Sequence, residues 1–255
     1  MTERHPPLRL NPNAERRLRV GHTWIFSNEV DVAATPLKSF QPGDLVTVVD
    51  ARNKPVGTAY VNPATLIAAR LISGRPDCTI DTEWVARRVR SALALRERLY
   101  PTPHYRLVHG ESDGLPGLVV DRFGDVLVAQ LATAGIERLR PLVVAALQEV
   151  VRPAGILFRN DGGARALESL PAAVESIGVV PDAADVDESG VRFVAPIREG
   201  QKTGWFYDQR DNRDRLARYV GGRSLLDVFS YVGGWAIRAA KQGAATATCV
   251  DSSQP

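Results

Sequence analysis

Cysteine, methionine and histidine are scarce in this 255-residue chain, which holds two cysteines, Cys78 and Cys249, one methionine and four histidines. With no CxxC pair and no histidine beside either cysteine, the sequence offers neither a disulfide framework nor a metal site. A reducing compartment fits. No apolar run approaches the roughly 18 to 20 residues needed to cross a membrane. The opening stretch MTERHPPLRLNPNAERRLRV lacks the apolar centre of a secretion signal. The expectation is therefore a cytoplasmic protein with no membrane partner. Internal repeats and low-complexity tracts are also missing. What the chain does have is apolar material, 44% of its residues, enough at this length for more than one core.

Charge is nearly balanced, 32 basic against 29 acidic residues, but it is unevenly spread. The start of the chain carries Arg4, Arg9, Arg16, Arg17 and Arg19 against Glu3 and Glu15. Local basic excess suits a polyanion, because each neutralised phosphate releases condensed counterions. In RRLRVGHTWIFSNEV the bases Arg16, Arg17, Arg19 and His22 stand beside Trp24 and Phe26. Guanidinium groups hold phosphates and flat side chains stack on splayed bases, so the four basic residues point to RNA. Trp24 and Phe26 are two apart, hence on one face of a strand, and are expected to fill a core instead.

The chain divides into three parts. Residues 1–73 contain short strands separated by turn residues, DLVTVVD, PVGTAYV and TLIAARLI, the pattern of a small barrel. Residues 74–190 begin with DTEWVARRVRSALALRERLY, which predicts a helix capped by Asp81 or Thr82 with one apolar face. GLPGLVVDRFGDVLVAQL then reads as a hairpin turning at 123–125, followed by a helix over 137–151 with Pro141 in its first turn and a strand at GILFRND. VRFVAPI is expected to close this α+β unit. Linkers are expected at 73–78 and 181–190, the second with the option of a hairpin loop.

Residues 191–255 form the third part. A glycine-flanked loop, EGQKTGWFYDQRDNR, leads to a helix from about Asp208. RSLLDVF then reads as a buried parallel strand, GGWAIRAAKQG as a helix, and AATATCVD as the next strand. Such a βαβ unit holds ligands at the carboxyl ends of its strands, where Asp227 and Asp251 stand. The turn DVFSYVGGWA lacks the GxGxxG spacing of a dinucleotide site and places Asp227 where phosphates would sit. Like charges at that range repel by about 1 to 4 kcal/mol. S-adenosylmethionine (SAM) has no phosphate and carries a sulfonium and an ammonium, so it is favoured over a nicotinamide dinucleotide. Asp251 would hold a ribose in either case.

GQKTGWFYDQRDNR resembles a signature of the bacterial 23S ribosomal RNA (cytosine-5) methyltransferases that carry an N-terminal PUA domain before a class I SAM-dependent domain. LLDVFSYVGGWA is similar to that family's cofactor turn, GHTWIFSNEV to the opening of its PUA barrel, and GESDGLPGLVVDRFGDVLVAQ to its central domain. The resemblance runs through nearly the whole chain in order. It implies a mixed fold: a PUA-like RNA-binding β-barrel at 1–73, a central α+β domain at 74–190, and the start of a Rossmann-like methyltransferase domain at 191–255. Gln201, Lys202, Thr203, Phe206, Asp208 and Arg210 would close over SAM. Asp227, Phe229, Ser230 and Gly233 would form its turn, Asp251 would bind its ribose, and ribosomal RNA would be the partner.

One departure limits what the resemblance implies. Methylating C5 of cytosine requires a nucleophile at C6, and in the family this is a cysteine late in the catalytic domain. Cys249 sits inside a strand and Cys78 in a linker, so neither is expected to serve. The nucleophile is expected beyond Pro255, the chain is read as an inactive N-terminal piece, and its two bare-edged parallel strands are expected to be poorly ordered or paired with a second copy as a homodimer. An RNA-binding module without catalysis is the alternative, and an NAD-linked oxidoreductase, opposed by Asp227, is a third reading.

Overall fold

The computed structural model describes residues 4–252. In the first part, β1 (Pro7–Arg9), α1 (Glu15–Arg19), β2 (Trp24–Ile25), β3 (Asp44–Val49), β4 (Pro55–Val61) and β5 (Ala69–Ser73) build one five-stranded sheet of order β1-β3-β4-β5-β2. The β1–β3 pair is parallel and the other pairs are antiparallel. The sheet curls towards closure where Leu10 bridges Val30, and Asp31 donates to Arg9 at 2.9 Å. Leu8, Leu10, Ile25, Val46, Val48 and Val61 fill the interior.

The second part contains α2 (Thr82–Leu99), β6 (His104–His109), β7 (Leu118–Phe123), β8 (Val126–Leu131), α3 (Ala134–Arg138), α4 (Arg140–Val150), β9 (Gly155–Asn160), α5 (Ala164–Leu167) and β10 (Ala173–Gly178). Asp81 caps α2, accepting from the Trp84 amide at 2.7 Å, and Pro141 lies in the first turn of α4 as expected. The five strands pair in the order β10-β9-β8-β7-β6. Only β8 and β9 run parallel, the pair that α3 and α4 connect.

Both faces of this sheet are covered, because successive residues of a strand point to opposite sides. Leu127 and Ala129 pack under α2 and α4, while Val126 and Val128 face a second layer. That second layer is the hairpin β11 (Ala184–Glu188) and β12 (Val191–Ala195), with Trp205 and Tyr207 beside it. VRFVAPI, expected to close the α+β unit, pairs with β11 and lies on the sheet as a separate layer. Ser189 and Gly190 both have positive φ, 52° and 76°, and form the two-residue turn between these strands. A boundary at 190/191 would cut this hairpin at the start of β12, although both of its strands pack on the central sheet.

The last part holds α6 (Arg210–Ala217), β13 (Ser224–Val228), α7 (Gly234–Lys241) and β14 (Thr246–Val250). The strands pair in parallel, with α7 as the crossover. The sequence predicts a buried strand here, and the structure corrects this. Of β13 only Asp227 is buried, Leu226 is 64% exposed and β14 is exposed throughout, because α7 covers one face and no other described strand pairs with either edge.

The first two parts share a core. Tyr60 and Ile72 of the barrel belong to the same apolar cluster as α2 and the central sheet. The Tyr60 ring lies directly on Gly135, where an added Cβ would stand 2.1 Å from the ring, and its hydroxyl donates to the Pro116 carbonyl at 3.0 Å. Glu168 extends the junction: it pairs with Arg70 at 2.8 Å and accepts from the Asn62 amide at 2.8 Å, all three buried.

Candidate functional site

At the carboxyl ends of β13 and β14 the chain forms a cavity of about 370 Å³. The turn after β13 shapes one wall. Phe229 and Tyr231 have φ of 62° and 50°, a left-handed conformation costing bulky residues about 1 to 2 kcal/mol each. Tertiary bonds hold it in place: Ser230 donates to the Val250 carbonyl at 3.1 Å, Tyr231 donates its amide to Asp251 Oδ2 at 2.7 Å, and its hydroxyl donates to the Gly204 carbonyl at 3.2 Å. Gly233, φ 74°, finishes the turn and starts α7, as only a residue without Cβ does cheaply. Strain concentrated in one turn and compensated by contacts from two other segments is characteristic of a ligand-binding loop.

The loop before α6 shapes the other wall. Of the residues singled out in the sequence, Gln201, Phe206, Phe229, Ser230 and Asp251 line the cavity. Phe229 is 83% exposed at its mouth. Lys202 lies with its ammonium 5.1 Å from the Phe206 ring centre, and Phe206 meets Tyr231 edge to face at 5.8 Å. Trp205, Gln209, Arg213 and Tyr231 also line the cavity and were not singled out. Gln209 and Arg213 belong to the turn and helix that follow the loop, whereas Trp205 lies before them and is placed by its indole bond to Glu188.

Three expected cofactor residues stand elsewhere. Thr203 is fully buried and donates to Asp121 Oδ2 at 2.6 Å, in a pair with Arg106 on the central sheet. Asp208 and Arg210 point to the opposite side of the segment. There, with Tyr100, Arg106 and His109, they border a second cavity of about 300 Å³. Arg210 lies 4.4 Å from the Tyr100 ring centre and bonds the His104 carbonyl.

Asp227 is near the first cavity but does not line it. It is buried, and its Oδ2 accepts from the Ala236 amide at 3.1 Å, which ties the end of β13 to the first turn of α7. Burial pushes its carboxyl above the usual carboxylate range; the Ala236 amide pulls it down and the charge of Asp251 pushes it up further. The two carboxylates at adjacent strand ends thus repel each other. Arg213, the guanidinium that reaches this cavity, is held by Glu188 through bonds of 2.7 and 2.8 Å, and Glu188 also accepts from the Trp205 indole at 3.0 Å. The hairpin tip thereby fixes two lining side chains and neutralises the one cation among them.

On the barrel, Arg16 and His22 are exposed, Arg17 pairs with Glu29 at 3.4 Å, and Arg19 pairs with Asp50 at 3.4 Å. The expectation that Trp24 fills the core is corrected: Trp24 is 42% exposed and the buried residue of β2 is Ile25. With only two paired residues in β2, Phe26 is already outside the strand and only half-buried. A third cavity, about 680 Å³, opens beside Arg17, His22, Trp24, Phe26 and Glu111. Among the described residues no cluster of three or more histidines, cysteines or carboxylates could hold a metal, no helix is long and apolar enough to cross a membrane, and both cysteines are free.

Comparison with known proteins extends this picture. Residues 8–74 match the PUA-like domain family. The chain is 38% identical over 245 residues to the ribosomal RNA large subunit methyltransferase I of Cronobacter sakazakii, covering 94% of this chain and 61% of that protein. It is 36% identical over 252 residues to the protein of the same name from Shewanella amazonensis, covering 96% and 63%. The chain therefore spans a little over three fifths of the length of these curated relatives. Among solved structures it superposes on a Streptococcus mutans protein described as a SAM-dependent methyltransferase, with TM-score 0.81, 22% identity and coverage of 98% of this chain and 64% of the other. It also superposes on a structure described as a methyltransferase complexed with S-adenosylhomocysteine (SAH), with TM-score 0.83, 22% identity and coverage of 98% and 63%. The chain thus has a PUA-like N-terminal domain and, from end to end, the mixed α/β fold of these methyltransferase structures with its Rossmann-like element at β13–α7–β14.

Proposed function

We propose that this chain carries the RNA-binding part and a SAM-binding part of a methyltransferase that acts on C5 of cytosine in ribosomal RNA. The observation that carries the cofactor reading is the pair of carboxylates, Asp227 and Asp251, at adjacent strand ends behind a strained turn. A pyrophosphate in the cavity would meet the Asp251 carboxylate directly, with the buried charge of Asp227 behind it, whereas a ligand with a sulfonium and an ammonium is attracted to that charge. The cavity volume lies within the range of small-ligand sites. Its aromatic side chains, Phe206 and Tyr231 among them, suit an adenine and a thioether. The relatives' printed names, ribosomal RNA large subunit methyltransferase I, support the RNA substrate.

In this reading Asp251 accepts hydrogen bonds from the ribose while holding the Tyr231 amide, and Asp227 keeps α7 aimed at the cavity. Ser230 and Gln201 border the methionine end. SAM, when bound, supplies an electrophilic methyl group. Lys202, Thr203, Asp208 and Arg210 are proposed to shape the loop from behind. Neither Cys78, in the segment between β5 and α2, nor Cys249, in β14, lines the cavity, so the chain by itself is proposed to bind SAM and RNA without transferring the methyl group.

Calorimetric titration with SAH, and with NAD in parallel, tests the reading. SAH is expected to bind and NAD is not. Asp251→Asn, which keeps an acceptor for Tyr231 but loses the charge, is expected to weaken SAH by about tenfold, the scale of one charge-assisted hydrogen bond of roughly 1.5 kcal/mol. Binding of NAD alone would overturn it.

A further inference from the structure

We infer that Trp24 and Glu111 form a composite docking site, spanning the barrel and the central domain, on which one unpaired base of a single-stranded RNA stacks. The inference rests on the RNA partner of the preceding section and goes beyond it, since there the basic residues alone carried RNA contact.

The argument begins with a large indole left in the open. Ile25 supplies the apolar contact of β2, so the core does not need Trp24. Exposed as it is, the ring is nonetheless fixed: its Nε1–H donates to Glu111 Oε1 at 2.7 Å, from the short turn Gly110–Asp113 that follows β6. Glu111 Oε2 makes no hydrogen bond among the described residues, and Glu111 lines the same opening. A ring fixed in advance loses little entropy when a base stacks on it. Cations for the flanking phosphates are at hand. Arg16 and His22 have no side-chain partner among the described residues, and Arg17, 5.4 Å from the Phe26 ring centre, is held by the Glu29 carboxylate and the Trp24 carbonyl, both at 3.4 Å, beside the same ring. The opening, about 680 Å³, is wide enough for a nucleotide.

The surroundings show where the strand would continue. His109, two residues from Glu111 and so within about 7 Å along the chain, borders the second cavity together with Arg96, Arg106 and Arg210. Gln209, between Asp208 and Arg210 of that cavity, lines the cavity proposed for SAM. The Trp24 platform and the second cavity thus flank one short turn, with the cavity proposed for SAM on the other side of the segment 208–210.

The test is fluorescence anisotropy of the full 255-residue chain with a labelled RNA of about twelve nucleotides, free or annealed to its complement. Trp24→Ala is expected to weaken single-strand binding about tenfold while changing duplex binding less than about twofold, since paired bases cannot splay onto a ring. Trp24→Phe restores a stacking face and is expected to bind within about threefold of wild type. Equal loss for both RNAs, or no loss in Trp24→Ala, would overturn the platform and leave the RNA partner standing. Failure of the wild-type chain to bind single-stranded RNA would remove the partner as well, and the SAH titration reads the cofactor proposal independently. Should Trp24→Ala not fold, photocrosslinking of a 4-thiouridine strand to the wild-type chain decides: adducts on the Trp24 peptide support the site, and adducts only elsewhere overturn it.

Discussion

Asp227 acts on the candidate cofactor cavity through the start of α7, and its titration reports that role. Its folded carboxyl lies above the ordinary 3.8, chiefly through burial, so the ionised form is less comfortable folded than unfolded. The resulting penalty is absent below the unfolded value, grows as pH rises through the folded value and is complete above it. Asp227→Asn keeps an acceptor for the Ala236 amide and removes the charge. Thermal melts across pH should therefore show the variant melting above wild type at pH 7, with the gap closing towards pH 3. The acid at the end of β13 was legible in the sequence, but its direction was not, because strand periodicity does not say which face α7 covers. The same limit applies to Thr203, Asp208 and Arg210, which share a signature with Gln201 and Phe206 yet face other surfaces. Gln209 and Arg213, four apart, were legible in principle as one helix face, whereas Trp205, in the loop before it, was not.

At the scale of elements, α3 shows contact overriding propensity. In an isolated helix Gly→Ala gains about 1 kcal/mol. Gly135→Ala in α3 should instead destabilise by about 1 to 3 kcal/mol, because the new methyl meets the Tyr60 ring. Chemical denaturation would measure it, and a gain in stability would refute the close packing. Elements with strong local signals were legible: α2 by its Asp81 cap, α4 by Pro141, and the β7–β8 hairpin by its glycine turn. Those without them were missed. β6 is interrupted by a register shift between Arg106 and Val108, β10 is a mostly exposed edge strand, and β11 alternates acids with apolar residues so that it reads as a loop.

For the whole molecule, charge placement makes a prediction that no single contact does. Arg19 is already paired with Asp50, whereas Arg16 has no side-chain partner among the described residues. Removing Arg16 should lower the slope of log affinity against log salt for single-stranded RNA by about 0.7, and removing Arg19 by less. Titrations at several salt concentrations would show the difference, and equal slopes for both variants would contradict it. The three-part order was legible from turn chemistry and pattern; the way the parts interlock was not, because Tyr60 reads as an ordinary strand residue until Gly135 is placed beneath it. That interlock bears on modularity. A barrel cut free at residue 73 would uncover Tyr60, Ile72 and the charged side chain of Arg70 together. Transplanted into another protein, this barrel would need a glycine and a carboxylate presented by its host to cover the same groups.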